Sequence, residues 1–161
     1  MKFTAQEEFG LRCMIQLARA GGKSLNIETI AGGEAISPAY AAKVLRLLRQ
    51  KGLIVATRGQ KGGYHLALPA SDIRLSSIFE AVGPRLYSDD LCARYAGQGD
   101  TCVHVSDCSV RGLWTALDGV IYRFLEMCTL SELCANEGAM LRAANDHVVK
   151  LPGSVGLRSL G

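Results

Sequence analysis

Three cysteines, Cys92, Cys102 and Cys108, lie in a polar, acidic stretch with nine and then five residues between them. Thiolates are ligands for iron, iron-sulfur clusters and zinc, and a trio in a loop can close around one centre without breaking a helix or strand. A second chemistry is open to the same residues, reversible thiol or disulfide redox, and a zinc or other metal site is a third. The other cysteines, Cys13, Cys128 and Cys134, fall at apolar positions of helical patterns and read as packing residues.

The elements that must position the trio follow from caps and periodicity. Thr4 with Glu7 three residues on is a capping-box pattern, and Phe9, Leu11, Met14, Ile15, Leu17 and Ala18 give a helical face that runs to Gly21-Gly22. Asn26 caps a short second helix through Ile27, Ile30 and Ala31, ending near Gly32-Gly33. Ser37-Pro38 then opens a third helix through Val44, Leu45, Leu47 and Leu48 to Gly52. Two helices joined by a tight turn predict a helix-turn-helix. Two strand-like runs, 53–57 and 64–68, flank a basic, glycine-rich tip and predict a hairpin wing. A short helix is expected over Leu75 to Val82, stopped by Gly83-Pro84. From 85 to 107 periodicity is lost. From Val110 to Cys128 apolar residues return at helical spacing, broader than a small winged domain must cover, which predicts pairing with a second subunit. Thr129 and Glu132 form another capping box, with weak helical character through Leu133, Met140 and Leu141.

The fold class expected is therefore mainly α with a small β-hairpin wing: a winged helix-turn-helix plus a long C-terminal dimerisation helix. The expected division is 1–84 for the DNA-binding region, 85–109 for the cysteine loop, 110–145 for the dimerisation and C-terminal helices, and 146–161 for a flexible tail.

Composition sets the class of partner. Residues 1–70 carry ten Lys/Arg against four Glu, a net +6, whereas 71–161 carry eight against eleven acids, a net −3. From Lys43 to Lys61 there are six basic residues and no acidic one, which suits phosphate contacts along a DNA groove. Arg58 in the wing is placed to enter a minor groove, and Ser37 and Tyr40 at the start of the third helix are placed to meet phosphates or base edges. No run approaches the roughly 20 apolar residues that cross a bilayer, and no signal-peptide pattern opens the chain; a cytoplasmic protein with no membrane partner is expected. No nucleotide loop, acid-base pair or nucleophile constellation supports an enzyme, and an iron-sulfur electron carrier is the remaining rival class.

The opening MKFTAQEEFGLRCMIQLA, the segment ISPAYAAKVLRLLRQKGLI, the wing RGQKGGYHLALPASDI and the loop LCARYAGQGDTCVHVSDC together resemble the IscR/NsrR-type (Rrf-two) family of winged-helix regulators, over roughly residues 1–135. The resemblance implies a homodimeric transcription factor, commonly a repressor. It would bind a palindromic operator in double-stranded DNA and change affinity when an iron-sulfur cluster is gained, lost or modified by redox change, nitric oxide or iron status. It implies Cys92, Cys102 and Cys108 as cluster ligands, with a 2Fe-2S centre preferred to a 4Fe-4S one. For the fourth ligand, some members use a histidine three positions past the last cysteine, but that position is Arg111 here; others use a carboxylate from the partner's first helix, and Glu8 matches it. His104 and Asp107 are local alternatives. On the DNA side, Ser37, Ala39 and Tyr40 match the start of the family's recognition helix, with Lys43, Arg46, Arg58 and Lys61 as further contacts; Ala42 stands where some members carry a base-selecting glutamate.

Overall fold

The computed structural model describes residues 3–59, 62–85, 87, 90–99 and 101–151. Lys61, one of the expected DNA contacts, and residues 152–161 of the expected tail lie outside them.

The first helix, α1 (Ala5–Arg19), begins where the capping box is made: Thr4 accepts from the Glu7 amide, and Glu7 reaches back to the Thr4 amide at 2.7 Å. Its buried residues Gly10, Cys13, Met14 and Leu17 recur at helical spacing and form one wall of the core. Asn26 caps α2 (Ile27–Gly33), and Ser37 caps α3 (Pro38–Gln50) with proline in its first turn. Between α2 and α3 the turn passes through Ala35 at φ 53°, and the Ile36 amide donates to the Ala31 carbonyl at 3.0 Å, closing the end of α2. α3 buries Ala41, Val44, Leu45 and Leu48.

Strands β1 (Ile54–Thr57) and β2 (Gly63–Leu66) pair antiparallel, with Ile54 opposite Leu66 and Thr57 opposite Gly63. Two glycines make this wing possible. Gly59 takes φ +113°, and a Cβ on Gly63 would stand 2.4 Å from the Leu25 carbonyl oxygen, because Leu25 and Tyr64 exchange backbone hydrogen bonds at 2.8 and 2.9 Å. The wing is thereby stitched to the segment before α2.

Helix α4 (Leu75–Val82) crosses beneath α1 and α3, its Val82 methyl groups filling the space that a Gly10 side chain would need. After α5 (Asp90–Arg94) and a loop, α6 (Ser109–Met127) runs 19 residues, α7 (Leu130–Leu133) follows, and α8 (Glu137–Lys150) ends the described chain. Helix α8 therefore continues through residues 146–150, past the start of the expected tail, because Asn136 caps it and His147 anchors its last turn.

The core is one cluster built from α1, α2, α3, β1, α4 and, less expectedly, the segment around α7: Cys128 and Leu130 are fully buried within it. Backbone bonds from Leu130 to the Ile73 carbonyl and from Leu75 to the Cys128 carbonyl, at 2.9 and 3.0 Å, tie that segment to the start of α4. The chain returns to the winged body through the second half of α6, where Phe124 and Leu125 pack against the core, and Cys128 is buried within it. The architecture is mainly helical with a two-stranded wing, as the sequence predicts. No helix among the described residues is long and apolar enough to cross a membrane.

Candidate functional site

Each cysteine of the trio sits on a different local structure. Cys92 lies in α5, Cys102 in a turn closed by the Val105 amide at 3.1 Å, and Cys108 at the N-cap of α6, where its sulfur accepts from the Arg111 amide at 3.4 Å. All three are half-buried and line one cavity of about 180 Å³, together with Ala93, His104 and Arg111. Arg111 donates from Nη1 to the Val105 carbonyl at 3.1 Å and so braces the loop, and it lines the same cavity as the thiols. Asp107 does not line this cavity, and neither does Glu8 of the same chain.

Among the described residues, no three His, Cys, Asp or Glu side chains stand close enough together to hold a single metal ion. Three thiols spread around one pocket do not make the closed tetrahedral cage of a structural zinc site. They do fit the donor set of an iron-sulfur cluster, whose thiolate ligands are shared among several irons.

The loop is anchored by residues far from it in sequence. Asp118, the buried residue of α6, accepts from Arg85 Nε and Nη2 at 2.9 and 2.7 Å and from the Tyr87 amide at 3.3 Å. The Arg85 guanidinium also lies 4.0 Å over the Tyr122 ring, and the Tyr122 hydroxyl donates to Glu80 on α4. One carboxylate thus fixes where the cysteine loop departs from the winged body. An Asp facing inward on an otherwise apolar helix face was the only sequence signal for it.

Glu8 is exposed on the first turns of α1 and pairs with Arg12, Oε1 to Nε and Nη2 both at 2.7 Å. Arg12 lies 5.5 Å over the Phe9 ring and 3.8 Å from Glu34 at the end of α2. Phe9 in turn meets Tyr40 edge-on at 5.8 Å. A contiguous set of contacts therefore joins Glu8 to the start of α3.

On α3 itself, Ala39, Lys43 and Arg46 follow at i, i+4 and i+7 and are exposed, opposite the buried Ala41, Val44, Leu45 and Leu48. Ser37 caps the helix with its hydroxyl at 3.2 Å from the Tyr40 amide, Tyr40 is half-buried, and Arg58 is exposed just beyond β1. The outward face of α3 and the wing present their basic groups to solvent.

The remaining thiols differ in kind. Burial, with the Glu34 charge adding, pushes Cys13 up to about 12. Burial, with the Glu132 charge adding, pushes Cys128 up to about 11, and burial also raises Cys134 against the lowering effect of Arg19. Such thiols stay protonated near neutral pH and serve packing. His147 bonds Glu132 at 2.9 Å and holds α8 to the cap of α7. Burial pushes the Glu132 carboxyl up, but hydrogen bonds from Thr129 and His147 outweigh it and leave the group below its ordinary value.

A family model for Rrf2, described as an iron-dependent transcriptional regulator, matches residues 3–136. The protein named rrf2 from Nitratidesulfovibrio vulgaris is 31% identical over 134 residues, covering 83% of this chain and 87% of that protein. The transcriptional regulator IscR of Cereibacter sphaeroides is 29% identical over 143 residues, covering 85% and 89%. Among solved structures, the oxidized form of CymR from Staphylococcus aureus superposes with a TM-score of 0.64 at 26% identity, over 84% of this chain and 98% of that one. The matched family and these relatives are transcriptional regulators rather than enzymes. The chain belongs to the Rrf2 family of transcriptional regulators.

Proposed function

We propose that the protein is a homodimeric regulator, a repressor, that holds an iron-sulfur cluster through Cys92, Cys102 and Cys108, with Glu8 of the partner subunit as fourth ligand. The observation that carries this reading is that three cysteines nine and five residues apart line a single cavity next to a cationic Arg111. A 2Fe-2S centre is preferred, and when bound it supplies a group sensitive to oxidants, nitric oxide and iron supply. The division of labour follows the chain: residues 1–84 read DNA, 85–109 carry the sensor and 110–145 dimerise, while Ser37, Ala39, Tyr40, Lys43, Arg46, Arg58 and Lys61 contact a palindromic operator.

The contacts around Glu8 supply a route from sensor to reader. When Glu8 turns towards the partner's cysteines it gives up Arg12, whose neighbours are then Glu34 on α2 and the Phe9 ring that packs on Tyr40. Without a cluster to bind, Glu8 would keep its pairing with Arg12. A coupling of about 1 to 3 kcal/mol between the two sites changes operator affinity roughly 5- to 150-fold.

A second reading has its own support: with no closed ligand cage among the described residues, and with likeness to an oxidized CymR, the same cysteines suit a cluster-free thiol sensor. Anaerobic purification followed by iron and acid-labile sulfide analysis separates the two. Near-equal iron and sulfide, lost in the Cys102→Ala variant, supports the cluster. Colourless wild-type protein without iron, whose cysteines oxidise reversibly, supports the thiol sensor.

A further inference from the structure

The cysteine loop is tied to α6 at both ends. It finishes at Cys108, which caps that helix, and it starts at Arg85 and Tyr87, which bond Asp118 of the same helix. Arg85 donates from Nε and Nη2 at 2.9 and 2.7 Å, and the Tyr87 amide donates at 3.3 Å. Ten residues, about 15 Å of helix, separate the two ties. Helix and loop thus close a ring, with Cys92 and Cys102 on the span between the ties. Drawing the three cysteines onto one centre, or releasing them, changes the reach of that span, and a helix is too stiff to shorten with it. Cys108 is held by the chain itself, so the change falls on the Arg85 end.

That end borders the winged body. Only Gly83 and Pro84 separate Arg85 from the end of α4. The Arg85 guanidinium lies 4.0 Å over the ring of Tyr122, one turn past Asp118 on α6, and the Tyr122 hydroxyl donates to Glu80 on α4. Val82, the last residue of α4, accepts from the side-chain amide of Gln6 on α1, and its methyl groups stand 2.8 and 3.0 Å from where a Gly10 Cβ would be. Ile78 and Val82 belong to the core cluster that also holds Val44, Leu45 and Leu48 of α3. A close-packed junction passes strain on rather than absorbing it. Displacing Arg85 therefore moves α4 against α1 and α3 together.

We propose that the Asp118–Arg85 pair is the positioning element that couples the cysteine cavity to α3 within a single chain, with Tyr122 and Glu80 as its second link to α4. The pair sets where the loop starts relative to α6, and α4 carries that setting to α3. The route is separate from the one through Glu8, which crosses to a partner subunit, and it rests on the reading above that the cysteines control DNA affinity. Neither Asp118 nor Arg85 lines the cysteine cavity, so the pair can be altered without removing a ligand.

The test uses full-length protein prepared anaerobically and the DNA duplex that the wild type selects from a random pool, with affinity measured before and after air. Wild-type affinity is expected to change roughly 5- to 150-fold. Asp118→Asn keeps the side chain's shape and an acceptor for the Tyr87 amide but loses the charge that holds Arg85. Its affinity is expected to change less than about 2-fold, while its iron and sulfide content and its affinity after air match the wild type. Tyr122→Phe removes only the bond to Glu80, and its response is expected to fall between the two. A full wild-type response in Asp118→Asn overturns the coupling and leaves the sensor reading standing. An Asp118→Asn protein that folds but no longer holds iron shows that the pair only builds the sensor, and overturns the proposal. If Asp118→Asn fails to fold, Tyr122→Phe decides, and a full response there overturns the proposal. A wild type whose affinity does not change overturns the sensor reading, and the coupling falls with it.

Discussion

The winged body and the first half of α6 treat apolar residues in opposite ways. In the body, Met14, Ile30, Leu45, Leu48, Ile78 and Leu130 are sealed from water, and polar groups stay at caps and turns. On α6, five large apolar side chains face outwards and the one buried residue is an aspartate. The body is complete in one chain. Helix α6, capped by Cys108, leaves its first half uncovered, and its one buried side chain, Asp118, holds the start of the cysteine loop. On the proposed dimer this contrast has a use, because a sensor at an interface lets a small local change reset the geometry of two readers.

The largest expected effect separates the two regions directly. Leu45→Ala should cost about 3 kcal/mol of protomer stability, as a fully buried leucine does. Leu117→Ala should cost less than about 0.5 kcal/mol in urea unfolding of diluted, dissociated protein, yet shift the sedimentation equilibrium towards monomer. Equal losses in the two variants would show that α6 belongs to the protomer core after all.

Next in size is the anchor. Asp118→Ala leaves Arg85 without its carboxylate, and because Arg85 is about half exposed the expected cost is only about 1 to 2 kcal/mol. The more telling readout is local: alkylation of Cys92 in apo-protein should accelerate as the loop comes loose, while Cys13 stays protected. Unchanged Cys92 labelling would detach the loop from this ion pair.

On the body's outer face, Arg58→Ala should weaken operator binding about tenfold and lower the salt dependence by about one counterion. Fluorescence anisotropy over a salt series measures both, and an unchanged slope would take Arg58 away from the phosphates.

The smallest effect concerns the buried thiols. Cys13 and Cys128 hold their protons to about 12 and about 11, against an ordinary 9.0. The folded state therefore binds more protons than the unfolded chain in that range. Their contribution is fully present below about pH 9 and is lost as pH rises towards 11 and 12. Stability measured across that window should decline less steeply in Cys13→Ala than in wild type.

The body was the most legible part of the sequence because its signals are local. Thr4 with Glu7, Asn26, Ser37-Pro38 and Thr129 with Glu132 each mark a helix start through bonds three residues apart, and each cap forms. The glycine-tipped wing was equally clear, since Gly59 and Gly63 stand where backbone geometry requires them. What escaped depends on partners far along the chain. The pairing of Asp118 with Arg85, of His147 with Glu132 and of the α7 segment with Ile73 needs the fold before it can be seen. The cysteine loop lies between these cases. Its composition marked a site, but Cys108 as a helix cap and Arg111 as the brace at the family histidine position appear only in three dimensions.

The claim at the centre of this account is that the cysteine cavity reports to the DNA-reading face. It is tested most directly by measuring operator affinity of anaerobically prepared protein before and after air or nitric oxide, in wild type and in Cys102→Ala. The expected result is a change of roughly 5- to 150-fold in wild type and none in the variant. An affinity that changes equally in both proteins, or in neither, would contradict it.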